Sequence, residues 1–174
     1  VVAEVFEDDS RPTTLKQRFR ADGKTLLRVS HLRQHDISQQ IVRKFVAAVK
    51  VALSKSDLVI FSDFNYGCLP QPLVNEVSDV CRKNNIFMVA DSQSSSQVGD
   101  VSRFKDALLL TPTEREARLA VRDFNSGLVV LAEKLREKTN AKNIILTLGS
   151  EGVIAHATSA NTGTWLTDRL PAFN

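Results

Sequence analysis

The sequence predicts an α/β fold, a mainly parallel sheet with helices on both faces, preceded by a β-hairpin. Three observations carry this. Four runs, "DLVIFSDF", "IFMVADS", "ALLLTP" and "NIILTLG", are nearly continuous in apolar residues, as strands of a covered parallel sheet are. Segments with helical apolar spacing separate them, which is the alternation of an α/β unit. Ahead of them, two alternating runs flank Asp22-Gly23, a strong short-range hairpin signal.

Taken in order, "TLKQRFRADGKTLLRVSHL" forms the hairpin. Its Thr, Arg and Lys residues suggest a face in water or over a ligand. From Asp36 the period changes: Ile37, Ile41, Val42, Phe45, Val46 and Val49 fall on one helical face. Asp36 or Ser38 caps that helix, with Gln39 three residues after Asp36. "DLVIFSDF" then reads as a buried strand. Pro72 suits the first turn of a helix over about 72–84, with Val74, Val77, Val80 and Cys81 inward. "IFMVADS" is the next strand. It is followed by the polar loop "DSQSSSQ" (91–97), at the carboxyl end of the sheet where α/β proteins hold ligands. "ALLLTP" closes at Pro112. "EREARLAV" begins a helix and "GLVVLAEKLREKT" is a longer one. "NIILTLG", "GVIAHAT" and "GTWLTDRL" complete the sheet. The expected organisation is a hairpin segment, 1–35, and an α/β core, 36–174, with no internal repeat.

The 174 residues are enough for one domain with a sizeable core. A net charge of +3, with Lys and Arg interleaved among Asp and Glu, offers no basic block for a nucleic-acid partner. No apolar run approaches the ~18 residues of a membrane span. The acidic start "VVAEVFEDDS" lacks signal-peptide character. Cys68 and Cys81 have no CxxC spacing, which suits a reducing, cytoplasmic setting.

Neither GxxxxGK[ST] nor GxGxxG occurs, so a phosphate site has to be built another way. Gly149-x-x-Gly152 in "NIILTLGSEGVIAH" has two readings. Glycines permit positive φ and close approach, so successive N–H groups can form an anion nest. From the glycines alone, a plain strand-to-strand turn is the simpler reading. His31 and His35 have metal spacing only if helical, and they straddle a strand end, so solvated histidines are expected. Asp63 and Asp91 each end a buried strand, either as loop and cap residues or as ligand contacts. Glu114 and Glu116 fall in the first turn of a helix, where the dipole favours them. Either carboxylate is also a candidate to reach a metal-bound water.

In this order the pieces resemble the ribokinase-like (PfkB) family of carbohydrate kinases, and its heptose kinase branch in particular. "RPTTLKQRF" with the Asp22-Gly23 hairpin is similar to that branch's lid over the sugar. "LVIFSDFNYGCL" resembles a strand ending Ser-Asp-Tyr-x-Lys-Gly, and "FMVADSQ" resembles Val-Asp-Pro-Lys. "LLLTPTEREA" resembles Leu-Thr-Pro-Asn-x-x-Glu, and "ILTLGSEGV" the Thr-x-Gly-x-x-Gly nucleotide turn. "LPAFN" resembles the segment just before Gly-Ala-Gly-Asp.

The resemblance implies an ATP- and Mg²⁺-dependent kinase acting on a sugar or sugar phosphate, in the heptose branch a heptose 7-phosphate used for ADP-heptose synthesis. It implies nucleotide contacts from Thr113, Thr147, Gly149, Glu151 and Gly152. Glu116 would act on magnesium through water. Arg11, Thr13, Asp63, Tyr66 and Asp91 would line the substrate side. A homodimer through the hairpin lid, residues 13–31, is expected. The sequence departs from the pattern at Thr113 (Asn in the family), at Tyr66 and Gln93 (Lys in the branch), and at Ser30-His31, where an acidic lid pair is usual. A catalytically inactive binding or dimerisation module is therefore the alternative. The catalytic base is expected beyond Asn174, and the family's first strand with its glycine pair has no counterpart here. The chain is thus expected to be the middle of a kinase, inactive alone and baring an apolar sheet edge or face.

Overall fold

The computed structural model describes residues 2–93, 99–158 and 164–173. An antiparallel ribbon opens the chain, β1 (Leu15–Ala21) with β2 (Lys24–His31). Asp22 and Gly23 both have positive φ, +48° and +76°, the two-residue turn whose twist matches the flanking strands. A bulge between Phe19 and Arg20 interrupts the register. Nearly every residue of the ribbon is exposed on both faces, Val29 being half-buried.

The core is a six-stranded sheet in the order β3 (Leu58–Asp63), β4 (Phe87–Ser92), β5 (Leu109–Leu110), β6 (Asn143–Thr147), β7 (Val153–Thr158) and β8 (Trp165–Leu170). β3 to β6 are parallel, and β7 and β8 add antiparallel at the end. "ALLLTP" contributes only two strand residues, because Pro112 turns the chain into the next helix. Among the described residues four α-helices accompany the sheet: α1 (Gln39–Leu53), α2 (Gln71–Lys83), α3 (Glu114–Val121) and α4 (Leu128–Thr139). Ser38, not Asp36, caps α1, its hydroxyl accepting from the Ile41 N–H at 3.3 Å. Pro72 sits in the first turn of α2 as expected.

The strands run steadily across the sheet from β3 to β6. Right-handed crossovers therefore carry α2, α3 and α4 over the same face. Burial follows the register of that face. Phe61, Ala90, Leu110, Ile144 and His156 form one row across five strands, all buried. Leu131 and Leu135 of α4 and Leu73 and Val74 of α2 are also fully enclosed. The opposite face is less covered among the described residues: Ile60 is 64% and Phe87 53% exposed. The expectation of a fully buried "DLVIFSDF" is thus corrected. β3 is an edge strand, and alternate side chains, Leu58 and Ile60, stand out of the core.

Candidate functional site

The carboxyl ends of β3, β4, β5 and β6 form one rim, the place where open α/β sheets bind ligands. Its two ends have different chemistry.

At the β5–β6 end, Thr113 and Thr147 form a parallel bridge, and the Thr147 N–H donates to the Pro112 carbonyl at 2.9 Å. Thr113 caps α3 reciprocally with Glu116. The Thr113 hydroxyl accepts from the Glu116 N–H at 3.2 Å, and the Glu116 carboxylate accepts from the Thr113 N–H at 2.8 Å. This is a capping box, and it explains why Glu116 is buried while Glu114, paired with Arg118 at 2.8 Å, is not. The fold thus brings Thr113, Glu116 and Thr147 together.

The turn after β6 is a single 3₁₀ turn, Gly149–Glu151. The Glu151 and Gly152 N–H groups donate within it, to Leu148 O at 3.3 Å and Gly149 O at 3.2 Å. Its two glycines differ. Gly149 (φ +62°) faces open space, with nothing within 4 Å of a built Cβ. Gly152 (φ +94°) packs against the chain itself, where a Cβ would lie 2.0 Å from Leu170 O. Glu151 is exposed and pairs with Arg169 of β8 at 2.7 Å.

At the β3–β4 end, Asp63 is buried and holds Arg103 at 2.6 Å. Its carboxylate also accepts from the Asn65 N–H at 2.9 Å. Arg103 donates a second bond to the Leu69 carbonyl at 2.8 Å, while its Nε is buried without a partner. A cleft of about 320 Å³ opens here, bordered by Asp36, Asp63, Asn65, Asp100 and Arg103. Sequence reasoning missed Arg103, forty positions from its partner. The one local signal was Asp100, whose carboxylate caps the short 3₁₀ turn Val101–Arg103. Asp91 is half-buried and accepts from the Thr111 hydroxyl at 3.1 Å.

Arg11 spends its guanidinium on the protein, on Asp8 at 2.8 Å, on the Tyr66 carbonyl at 2.6 Å and on the His35 carbonyl. Hydrogen bonds to Ser10 and its pairing with Arg11 hold the Asp8 carboxyl below its ordinary range. Arg11 therefore ties the N-terminal segment to the loop after β3. Gly67 completes that junction: its carbonyl accepts from Ile37 N–H at 3.0 Å, and a Cβ there would strike His35 O. Tyr66 is buried and stacks on Phe64 with ring centres 6.1 Å apart. Thr13 is exposed beside the groove between the N-terminal segment and α1. His35 meets Ser10 at 2.9 Å. The polar loop 91–97 extends past Gln93 outside the described residues.

Among the described residues no three His, Cys, Asp or Glu gather as a metal cage. Magnesium keeps several waters and takes one or two carboxylates together with substrate phosphates. A single Glu116 at this rim fits water-mediated contact with such an ion and does not fit direct, all-protein coordination.

A six-stranded sheet, parallel through β6, with polar side chains at its carboxyl rim defines an α/β protein of the ribokinase-like architecture. Over residues 5–172 the chain matches the pfkB family carbohydrate kinases, and it belongs to that family. It is 30% identical over 150 residues to the bifunctional protein HldE of Desulfatibacillum aliphaticivorans, a span of 84% of this chain and 30% of that protein. It is 28% identical over 156 residues to HldE of Geobacter sulfurreducens, 87% of this chain and 31% of the relative. The chain therefore spans about a third of the length of these relatives. Its fold is similar to that of Escherichia coli phosphofructokinase-2 in complex with fructose-6-phosphate (TM-score 0.64, 15% identity, 92% of this chain and 52% of that one). It is also similar to ribokinase from Giardia lamblia (TM-score 0.67, 17% identity, 94% and 50%). No helix among the described residues is long and apolar enough to cross a membrane.

Proposed function

We propose that the chain is part of an ATP-dependent sugar kinase that transfers a γ-phosphoryl group to a hydroxyl of a sugar or sugar phosphate. The acceptor in this proposal is a heptose 7-phosphate destined for ADP-heptose. The observation that carries the kinase reading is the family match across residues 5–172. The heptose acceptor rests on the motif resemblance, and the HldE relatives support it.

Catalysis in this class is positioning plus charge stabilisation, and ATP with Mg²⁺ supplies the transferred group and part of the neutralising charge. Thr113, Thr147, Gly149, Glu151 and Gly152 are assigned to the nucleotide, with Glu116 orienting a water beside magnesium. Thr13, Asp63, Tyr66 and Asp91 are assigned to the sugar side. Arg11 acts there by fixing the Tyr66 loop, since its donors are engaged by Asp8, Tyr66 and His35. No general base is assigned within the chain. Residues 1–35 serve as the lid and 36–174 as the core. The unpaired thiols Cys68 and Cys81 suit a cytoplasmic setting.

The hairpin is also assigned a dimer contact. Leu15, Phe19, Leu27 and Val29 share one of its faces, and the first three are at least half exposed. Pairing two such faces would cover them.

The kinase reading is tested by titration calorimetry with Mg²⁺–ATP. Binding is expected, and Gly149→Ala should weaken it by placing a methyl group in the open turn. Absence of ATP binding at millimolar nucleotide would overturn the reading.

A further inference from the structure

Resting on the kinase reading, we infer that Lys16 of the lid recognises the phosphate of a phosphorylated sugar, its ammonium group aimed by the Phe64–Tyr66 pair. The resemblance expects lysines at positions 66 and 93, next to the substrate, and this chain has Tyr66 and Gln93. The fold returns a cation to that place from another element. Lys16 Nζ lies 4.1 Å from the Phe64 ring centre and 5.0 Å from that of Tyr66. Both rings follow directly on the carboxyl end of β3.

A lysine on an open ribbon samples many rotamers. Two stacked rings select the one that brings the ammonium to the rim. That contact uses the charge but leaves N–H donors for an anion. No carboxylate pairs with Lys16 among the described residues. On the same ribbon face Arg18 stands directly opposite Arg28. Like charges so placed destabilise a sheet unless something compensates. Lys16, Arg18 and Arg28 share one ribbon face, and Lys16, the one held at the Phe64–Tyr66 pair, is the cation offered to a phosphate monoester dianion.

The residues assigned to ATP lie at the other end of the rim. The nucleotide-side residues sit on β5 and β6, and β3 is three strand spacings from β6, about 14 Å. A charge-assisted contact at an exposed site is worth up to about fivefold in affinity, and it weakens with salt.

The test is calorimetry at low salt with sedoheptulose 7-phosphate, mannose 6-phosphate and fructose 6-phosphate, each against its free sugar. It is run on the unaltered chain, Lys16→Met and Lys16→Arg, with Mg²⁺–ATP titrated into each. Circular dichroism checks the fold; Lys16 is exposed, so both variants should retain it. The expected result has three parts. The unaltered chain binds at least one sugar phosphate about fivefold more tightly than its free sugar. Lys16→Met brings that ratio to about one without changing free-sugar or ATP affinity. Lys16→Arg keeps most of the preference. An unchanged ratio in Lys16→Met, a parallel loss of free-sugar binding, or no phosphate preference in the unaltered chain overturns the inference. If ATP binds and none of the sugar probes does, the inference falls and the kinase reading stands. If neither binds, both fall.

Discussion

Gly152→Ala should destabilise the fold far more than Gly149→Ala, although the two glycines bracket one turn. Gly152 has φ +94° and ψ −134°, a region that side-chain-bearing residues occupy at a cost of about 1–3 kcal/mol. The added Cβ would also sit 2.0 Å from Leu170 O and 2.7 Å from Ala172 N and Pro171 C. All three are backbone atoms at the end of β8, so no side chain can swing away. Relief requires moving that backbone off β7, where Leu170 pairs with Val153, and this adds about 1–3 kcal/mol of lost pairing and packing. The sum is about 2–6 kcal/mol, a large share of a typical domain stability of 5–15 kcal/mol. Gly149 has φ +62° in the left-handed region and open space around it, so alanine there costs only about 1 kcal/mol. Urea denaturation of both variants, compared at equal m, measures the difference. Equal losses, or a Gly152→Ala loss below about 1 kcal/mol, would refute the packing account of Gly152. The consequence for function is direct. Loss of ATP binding in a Gly152 variant would report a damaged fold, and Gly149 is the position that probes the proposed phosphate site.

Arg103→Ala should cost about 3 kcal/mol, because it leaves the buried Asp63 carboxylate without its cation; chemical denaturation showing a loss under about 1 kcal/mol would contradict this. The Arg136 guanidinium, with a further hydrogen bond from His156, holds the Glu133 carboxyl down to about 2 from an ordinary 4.5. A depressed carboxylate stabilises the fold above its unfolded value, so this contribution should fade as pH falls from about 4.5 to about 2. Glu133 is 34% exposed, so solvent screening leaves about 1 kcal/mol. Denaturation midpoints of Glu133→Gln should be flatter across that window than those of the unaltered chain, and parallel curves would refute the assignment. Phe19→Glu with Leu27→Glu should turn a hairpin-mediated dimer into monomer in sedimentation velocity, whereas an unaltered chain monomeric at high micromolar concentration would remove the dimer from the proposal.

The elements were legible where local chemistry dominates. Asp22-Gly23 specifies its turn because both residues tolerate positive φ. Pro72 and the acids Glu114 and Glu116 mark helix starts, because proline lacks the orphan N–H and carboxylates suit the positive end of the helix. α3 begins at Glu114, where "EREARLAV" predicts the start of a helix. The family motifs were legible for the same reason: each is a short, contiguous piece of strand and turn.

The partners of the site residues were not legible. Asp63 read as either a loop and cap residue or a ligand contact, and its ion pair with Arg103 spans forty positions. Arg11 read as a sugar contact, yet its donors meet carbonyls of residues 35 and 66. Gly149 and Gly152 look equivalent on paper, and only the passage of residues 170–172 over one of them tells them apart. Lys16 gave no signal, because its ring partners lie some fifty residues away. The sequence alone determined period, punctuation and motif order, all set by interactions within a few residues. The tertiary structure alone decided which polar groups spend their bonds on the protein and which face the rim. Those choices depend on chain segments that meet only after the strands have paired.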